Sequence, residues 1–505
     1  MTRERNKRQT IKWNFIFYIF EFMYLIATGF LLIPLYLKYI SKDMYGYWLA
    51  SGNVLQLVTI INPGFSDVIQ QRISFNYGIK NKEKIGGYSC VGILLTFIFS
   101  LIIAIVGYIV YLNLHVIFDT IPDVYISDLR FAFLLMLIGS ILLINYYSIG
   151  AIDYAMMSSK SIGCINLTSN LIALLTTVLM LIKGYGIISL GAAALARGLC
   201  FILGSSLYTC YRFKTDNIHL RLDYSLLKEV FSLIGFNFLG KISSSLTTQL
   251  NSILSTKLVS PLASANLKFT QTVPDFGRIV VMRILNSVNP ILPNLYAEKG
   301  VEGIKEYINY LIVIMIWGIG LLSVGFTLLN KYFMHLWIGT SNYSGDLINL
   351  LIVCSISISL LSWFFSQMLF AFGDIKNNNI VLFVQSVLYL ILAIVLTLKF
   401  AIVGLLFASI FCQLMGFIFY FFRRFQYLLR YNRQEKKTLI NRILYTLFVS
   451  LSSYYISGLL LWENNTWLGF CVNILICIAV YIIILLINKT NWQVAVKIVS
   501  RFFLK

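Results

Sequence analysis

The feature that most constrains this chain is the recurrence of long apolar runs. Fourteen follow one another at 14–37, 45–71, 88–112, 130–154, 162–182, 187–209, 227–255, 268–295, 306–329, 346–371, 378–398, 402–422, 440–461 and 467–487. Each approaches or exceeds the roughly 20 residues that a helix needs to cross a bilayer core. Lipid offers the backbone no hydrogen bonds, so a run of this length must satisfy its own as a helix. Composition agrees, since 59% of the 505 residues are hydrophobic and 12% are charged, against roughly 25% charged in a soluble domain. The expected fold class is an all-α membrane protein of about 14 transmembrane helices.

A formal net charge of +20 would suit a nucleic-acid partner, but its distribution argues against one. About 28 of the 40 Lys and Arg fall in the termini and loops of one side and about 8 on the other. The excess marks the cytoplasmic side, so both termini are expected there and the number of spans is even. The basic runs from Arg3 to Lys12 and from Arg423 to Lys437 read as headgroup anchors. The first apolar run continues as a full span and is expected to stay as a helix. The eight cysteines show no zinc or disulfide spacing. His115, His219 and His335 show no metal spacing either. No nucleophile elbow, paired carboxylates or phosphate-cradling loop is present, and no loop exceeds about 25 residues. The expectation is a non-enzyme without metal or cofactor.

The runs fall into two sets of six. They imply an N-terminal lobe over 1–209, a linker over 210–226, a second lobe over 227–422, a basic linker over 423–439, an extra helix pair over 440–487 and a cationic amphipathic tail over 488–505. The sets repeat at an offset of about 215 residues, with Tyr185-Gly186-Ile187 opposite Phe400-Ala401-Ile402 and Ser159-Lys160 opposite Ile375-Lys376. Two halves with even helix counts share one orientation, which places their pseudo-two-fold axis along the membrane normal and a central cavity between them.

Charge inside the spans is where chemistry is expected. A charge at the middle of a membrane costs about 2.5 to 3.5 kcal/mol, so Arg197, Lys241, Arg278 and Arg283 would cost about 10 to 14 kcal/mol against lipid. They are expected to line a wet, mainly cationic cavity that takes an anion, with Arg72 as a fifth member. Forked Arg donors suit the oxygens of a diphosphate. Each residue also has a plainer reading. Arg72 can snorkel to the near interface, Asp275 and Arg278 can neutralise each other at i, i+3, and Arg197 can secure a helix contact beside the small residues Gly191 to Ala194. Lys241 precedes the polar run Ser243 to Gln249, which a lipid-facing helix would avoid. Glu21, Asp67 and Asp275 are candidates for coupling to an ion, although Glu21 could equally bond a neighbouring Tyr or Ser.

Several segments carry a family resemblance: Tyr45-Gly46-Tyr47-Trp48, Asn62-Pro63-Gly64-Phe65, the Tyr185-Gly186 and Ile402-Val403-Gly404 helix starts, and Ala371-Phe372-Gly373-Asp374. Over nearly its whole length the chain resembles the multidrug/oligosaccharidyl-lipid/polysaccharide exporter superfamily, and most of all its Wzx-type flippases. Where that family usually has an acidic residue and a Leu-Gly pair, this chain has Asn62-Pro63-Gly64. The resemblance implies a flippase of the bacterial inner membrane that carries an undecaprenyl-diphosphate-linked oligosaccharide, an O-antigen or capsule repeat unit, to the outer leaflet. It implies proton or sodium coupling, and membrane lipids and the polysaccharide polymerase machinery as partners. The alternatives are an ion-coupled multidrug exporter, a flippase for a peptidoglycan or teichoic acid precursor and, more remotely, a membrane polymerase or ligase.

Overall fold

A computed structural model describes residues 2–59, 65–78, 80–117, 122–286, 292–372, 374–462, 466–488 and 491–493. Among them every regular element is helical. The helices are α1 (Thr2–Tyr39), α2 (Lys42–Thr59), α3 (Phe65–Gly78), α4 (Lys82–Leu112), α5 (Leu114–Ile117), α6 (Asp123–Ala155), α7 (Ser159–Ile182) and α8 (Ile188–Asp216). They continue with α9 (Tyr224–Leu258), α10 (Pro261–Asn286), α11 (Leu292–Ile338), α12 (Asp346–Ala371), α13 (Ile375–Gly416), α14 (Phe422–Leu428), α15 (Arg433–Leu460) and α16 (Trp467–Leu486). Nine helices among the described residues are long and apolar enough to cross a membrane. The fourteen predicted runs coincide with helix, except that the second is divided between α2 and α3 and the eighth between α10 and α11, with 60–64 and 287–291 outside the described residues.

The longest of the nine, Lys376–Leu428, spans two predicted runs, because Ala401 breaks it with φ 52° and ψ −136°. Ala401 is the repeat partner of Gly186, whose φ is 51°. A residue of positive φ thus precedes the sixth run of each set. At Gly186 that conformation is nearly free of steric penalty, whereas at Ala401 the Cβ opposes it.

Helix starts carry their own signals. Asn81 and Asp223 accept from backbone amides at the starts of α4 and α9, at 3.0 and 2.8 Å. Asn432 and Glu435 form a reciprocal capping box at the start of α15. Across the bundle, large apolar side chains such as Leu207, Leu459 and Ile483 are exposed, whereas Ser148, Ser205, Ser453 and Ser457 are buried. This ordering is inverted relative to a soluble bundle. Lipid is as apolar as Leu, so helices associate through close packing and hydroxyl contacts instead of by burying Leu.

The chain forms two compact units, Met1–Ala265 and Asn266–Lys505. In the first, α8 packs closely along α6 and α7, and the cluster of Phe65, Ile69, Val91 and Ile152 fills the junction of α3, α4 and α6. Helix α9 opens the second set of six in sequence, yet it packs on α2, α3 and α4 within this unit. The reason is local. A Cβ at Gly46 would overlap the Pro261 carbonyl, so only glycine lets α2 approach that closely, while Thr256 donates to the Gly46 carbonyl and Asn53 hydrogen-bonds Ser252.

In the second unit an aromatic core of Phe364, Phe365, Phe421 and Phe425 joins α12, α14 and the π-helical turn at Phe417–Phe421. The extra pair α15–α16 packs on α11, where Tyr481 donates to the Trp317 carbonyl at 3.0 Å. Asn473 closes the turn between the pair by bonding both the N–H and the carbonyl of Trp462. Pro274 lies inside α10 and cannot donate to the Thr270 carbonyl. Asn330 of α11 supplies the missing donor at 2.9 Å and is itself held by Asn349 at 2.7 Å.

Candidate functional site

Three places in the first unit and one in the second hold the candidate charges and a buried acid; elsewhere in the second unit Lys305 pairs with Glu302 and Glu435, and Arg424 with Asp374. The first joins α1, α7 and α8. Glu21 accepts from the Asn166 side-chain amide, and Tyr24, three residues further along α1, donates to the Asn170 carbonyl at 2.9 Å. Arg197 lies within electrostatic reach of the Tyr24 hydroxyl, and its buried Nε finds no acceptor among the described residues. The helix contact expected of Arg197 is made by the backbone itself, with Gly191 against the Ala132 carbonyl and Gly139 against Ala194. The partner of Glu21 is thus an amide, where sequence reading offered Tyr or Ser.

The second place joins α3, α4 and α9 at the end of this unit that carries the linker 210–226. Arg72 Nη2 meets Glu229 Oε1 at 2.6 Å, and the Tyr88 hydroxyl donates to Glu229 Oε2 at 2.7 Å. Both charged side chains are about one-third exposed. Arg72, expected as a free cavity cation, therefore has a carboxylate partner. Glu229 lay in plain view, two residues inside the run 227–255, as an acid where a span begins. The linker folds back beside it. The His219 carbonyl sits over Gly86, and Asp223 caps α9. Hydrogen bonds from Ser225 hold the Asp223 carboxyl below the usual carboxylate range.

The third is a buried acid that sequence reading missed. Asp153 of α6 is fully buried and accepts from Thr209 of α8 at 2.7 Å, while its Oδ1 finds no donor among the described residues. Arg212 lies nearby and is engaged with Asp216 at 3.0 Å. No spacing announces such a site, because the partner is a lone hydroxyl 56 residues away.

In the second unit the charges line one face of α10. Arg278 Nη2 is 3.2 Å from Asp275 Oδ1 and Lys268 Nζ is 3.9 Å from Asp275 Oδ2. Residues at i, i+7 and i+10 share a helical face, so one carboxylate serves two cations and the triad stays positive. Lys268, the first residue of its predicted run, was not singled out by sequence. Asp275 is paired with cations and Arg278 Nε is buried without an acceptor among the described residues. On this unit Pro274, Ser323, Phe326 and Ser357 border a narrow cleft with room for little more than one water molecule. The side chains of Asp67, Lys241 and Arg283 lie outside the described residues.

No family model matches the chain, and no curated protein matches it in sequence. Solved structures do match its fold. A lipid II flippase, MurJ, in an inward closed conformation is similar with a TM-score of 0.68 at 17% identity, over 93% of this chain and 98% of that one. An inward-facing multidrug resistance MATE family transporter of the MOP superfamily is similar with a TM-score of 0.59 at 13% identity, over 80% of this chain and 99% of that one. The Vibrio cholerae MATE transporter VcmN is similar with a TM-score of 0.57 at 14% identity, over 85% of this chain and 99% of that one. The chain has the multi-pass helical fold of these membrane transporters.

Proposed function

We propose that this transporter fold works here as a flippase for an undecaprenyl-diphosphate-linked oligosaccharide, an O-antigen or capsule repeat unit, in a bacterial inner membrane with both chain termini cytoplasmic. The observation that carries the reading is the extent of the likeness. The lipid II flippase covers 93% of the chain, against 80% and 85% for the two multidrug transporters. The charge of α10 supports the same cargo, because Lys268 and Arg278 outnumber Asp275 and a net positive face inside a membrane favours an anion over a cationic drug.

In this reading Arg278, Arg283, Lys241, Arg197 and Arg72 draw in the diphosphate, whose oxygens match forked guanidinium donors. The lipid tail stays in the bilayer while the headgroup crosses. The lobes 1–209 and 227–422 alternate in access. Of the two described coupling candidates Glu21 is the better placed, since its partner is the neutral amide of Asn166, whereas Asp275 is already paired with two cations.

Proteoliposomes decide the matter. Translocation of a fluorescent polyprenyl-diphosphate saccharide by the wild type, lost in the combined variant Lys241→Ala, Arg283→Ala, is the expected result. Efflux of cationic dyes with no movement of the lipid would replace this reading by the multidrug one.

A further inference from the structure

The seam between α9 and the pair α2–α3 is closed in two different ways. At one end, Gly46 lies so close to Pro261, where α10 begins just after α9, that nothing larger than hydrogen fits, and the contact is backbone against backbone. At the other, the seam is closed by the Arg72–Glu229 pair and the Tyr88 hydroxyl. The first closure is steric and indifferent to ligands. The second is electrostatic and about one-third exposed, so water and ions reach it. It is also incomplete, because Arg72 meets Glu229 through Nη2 while its buried Nε donates to nothing among the described residues. A guanidinium presents a fork, and a phosphate group can occupy both prongs with more negative charge than a single carboxylate oxygen brings.

We propose that Arg72, Tyr88 and Glu229 form an anion-exchange site for a diphosphate. Arg72, with the Tyr88 hydroxyl as a second donor, takes the incoming diphosphate in place of Glu229, and release of Glu229 frees this end of α9 from α3 and α4. The site rests on the flippase reading for the source of the diphosphate, though not for its geometry. Bilayer lipids also carry phosphate, so the test separates the two sources.

The experiment places spin labels on exposed Ser74→Cys in α3 and Lys228→Cys in α9, in full-length protein whose eight native cysteines are replaced, and measures their separation in nanodiscs of phosphatidylcholine. The wild type should give one short distance, and inorganic diphosphate should add a longer population. Glu229→Gln should raise that longer population about five-fold without diphosphate, the effect of losing a partly exposed ion pair. Tyr88→Phe, a smaller change, should shift it in the same direction. Arg72→Gln should open the seam and abolish the response to diphosphate. An unchanged distance in Glu229→Gln and Tyr88→Phe would overturn the site. So would opening of the wild type by phosphatidylglycerol alone, or indifference of the wild type to diphosphate. A response to diphosphate in a protein that moves only cationic dyes would leave the site standing and remove the flippase reading instead.

Discussion

At Ala401 the chain holds a methyl group in a backbone conformation that suits glycine. Left-handed geometry costs a non-glycine residue roughly 1 to 2 kcal/mol, so Ala401→Gly should stabilise the protein by about 1 kcal/mol, less the entropy that glycine adds to the unfolded chain. Thermal unfolding in detergent would register this as a higher midpoint, and Gly186→Ala should move it the other way. Asp153 allows a second test at this scale. Thr209→Val removes the one donor that its carboxyl has among the described residues, which should destabilise by about 1 to 3 kcal/mol. Single residues were the least legible level of the sequence. Asp275 and Arg278 were legible as a pair three residues apart, whereas Glu21 and Arg72 were visible as charges but their partners were not. Glu229 and Asn166 come from distant helices, and a chain of letters carries no distances.

Helices were far more legible, because their apolar lengths are set by bilayer thickness and recur whatever the packing. What the sequence hid was how a helix departs from regularity. Pro274 announced a weak point in α10, yet its remedy, the Asn330 amide on the Thr270 carbonyl, is a tertiary fact. That remedy makes a double-mutant cycle informative. Asn330→Leu should cost about 1 to 3 kcal/mol by leaving the carbonyl unpaired. In a Pro274→Ala background the restored backbone N–H takes over, and the cost should fall by about 1 kcal/mol. Equal costs in both backgrounds would show that Asn330 acts through Asn349 alone. Helix α9 has a pH signature at its start. Its cap Asp223 titrates below the ordinary carboxylate range, so its contribution is present above that range and is lost as pH falls through the lowered value. Amide exchange at Ser225 and Leu226 should accelerate in that acid window, and Asp223→Asn, still a capping residue, should remove the pH dependence.

For the molecule as a whole, sequence and structure agree on a multi-pass helical membrane fold, and the two positions 186 and 401, 215 residues apart, share a positive φ. The grouping of α9 with the first unit was not legible, since it depends on small residues such as Gly46 whose meaning appears only when a second helix is beside them. If intramembrane cations recruit the cargo, Arg278→Ala should slow translocation at least about tenfold, equivalent to about 1.4 kcal/mol. Arg423→Ala, whose guanidinium lies over the exposed Phe419 ring, should leave it within about twofold; insertion of both variants is checked by yield in the membrane fraction. One contact described above has a bearing on how the chain is made. Tyr481 reaches the Trp317 carbonyl across 164 residues, and at about 5 to 20 residues per second that stretch takes a ribosome roughly 10 to 30 s to synthesise. Throughout that interval the nascent α11 keeps a face whose partner does not yet exist, so an insertase or chaperone that shelters it has a defined time window, and the arrival of α16 ends it.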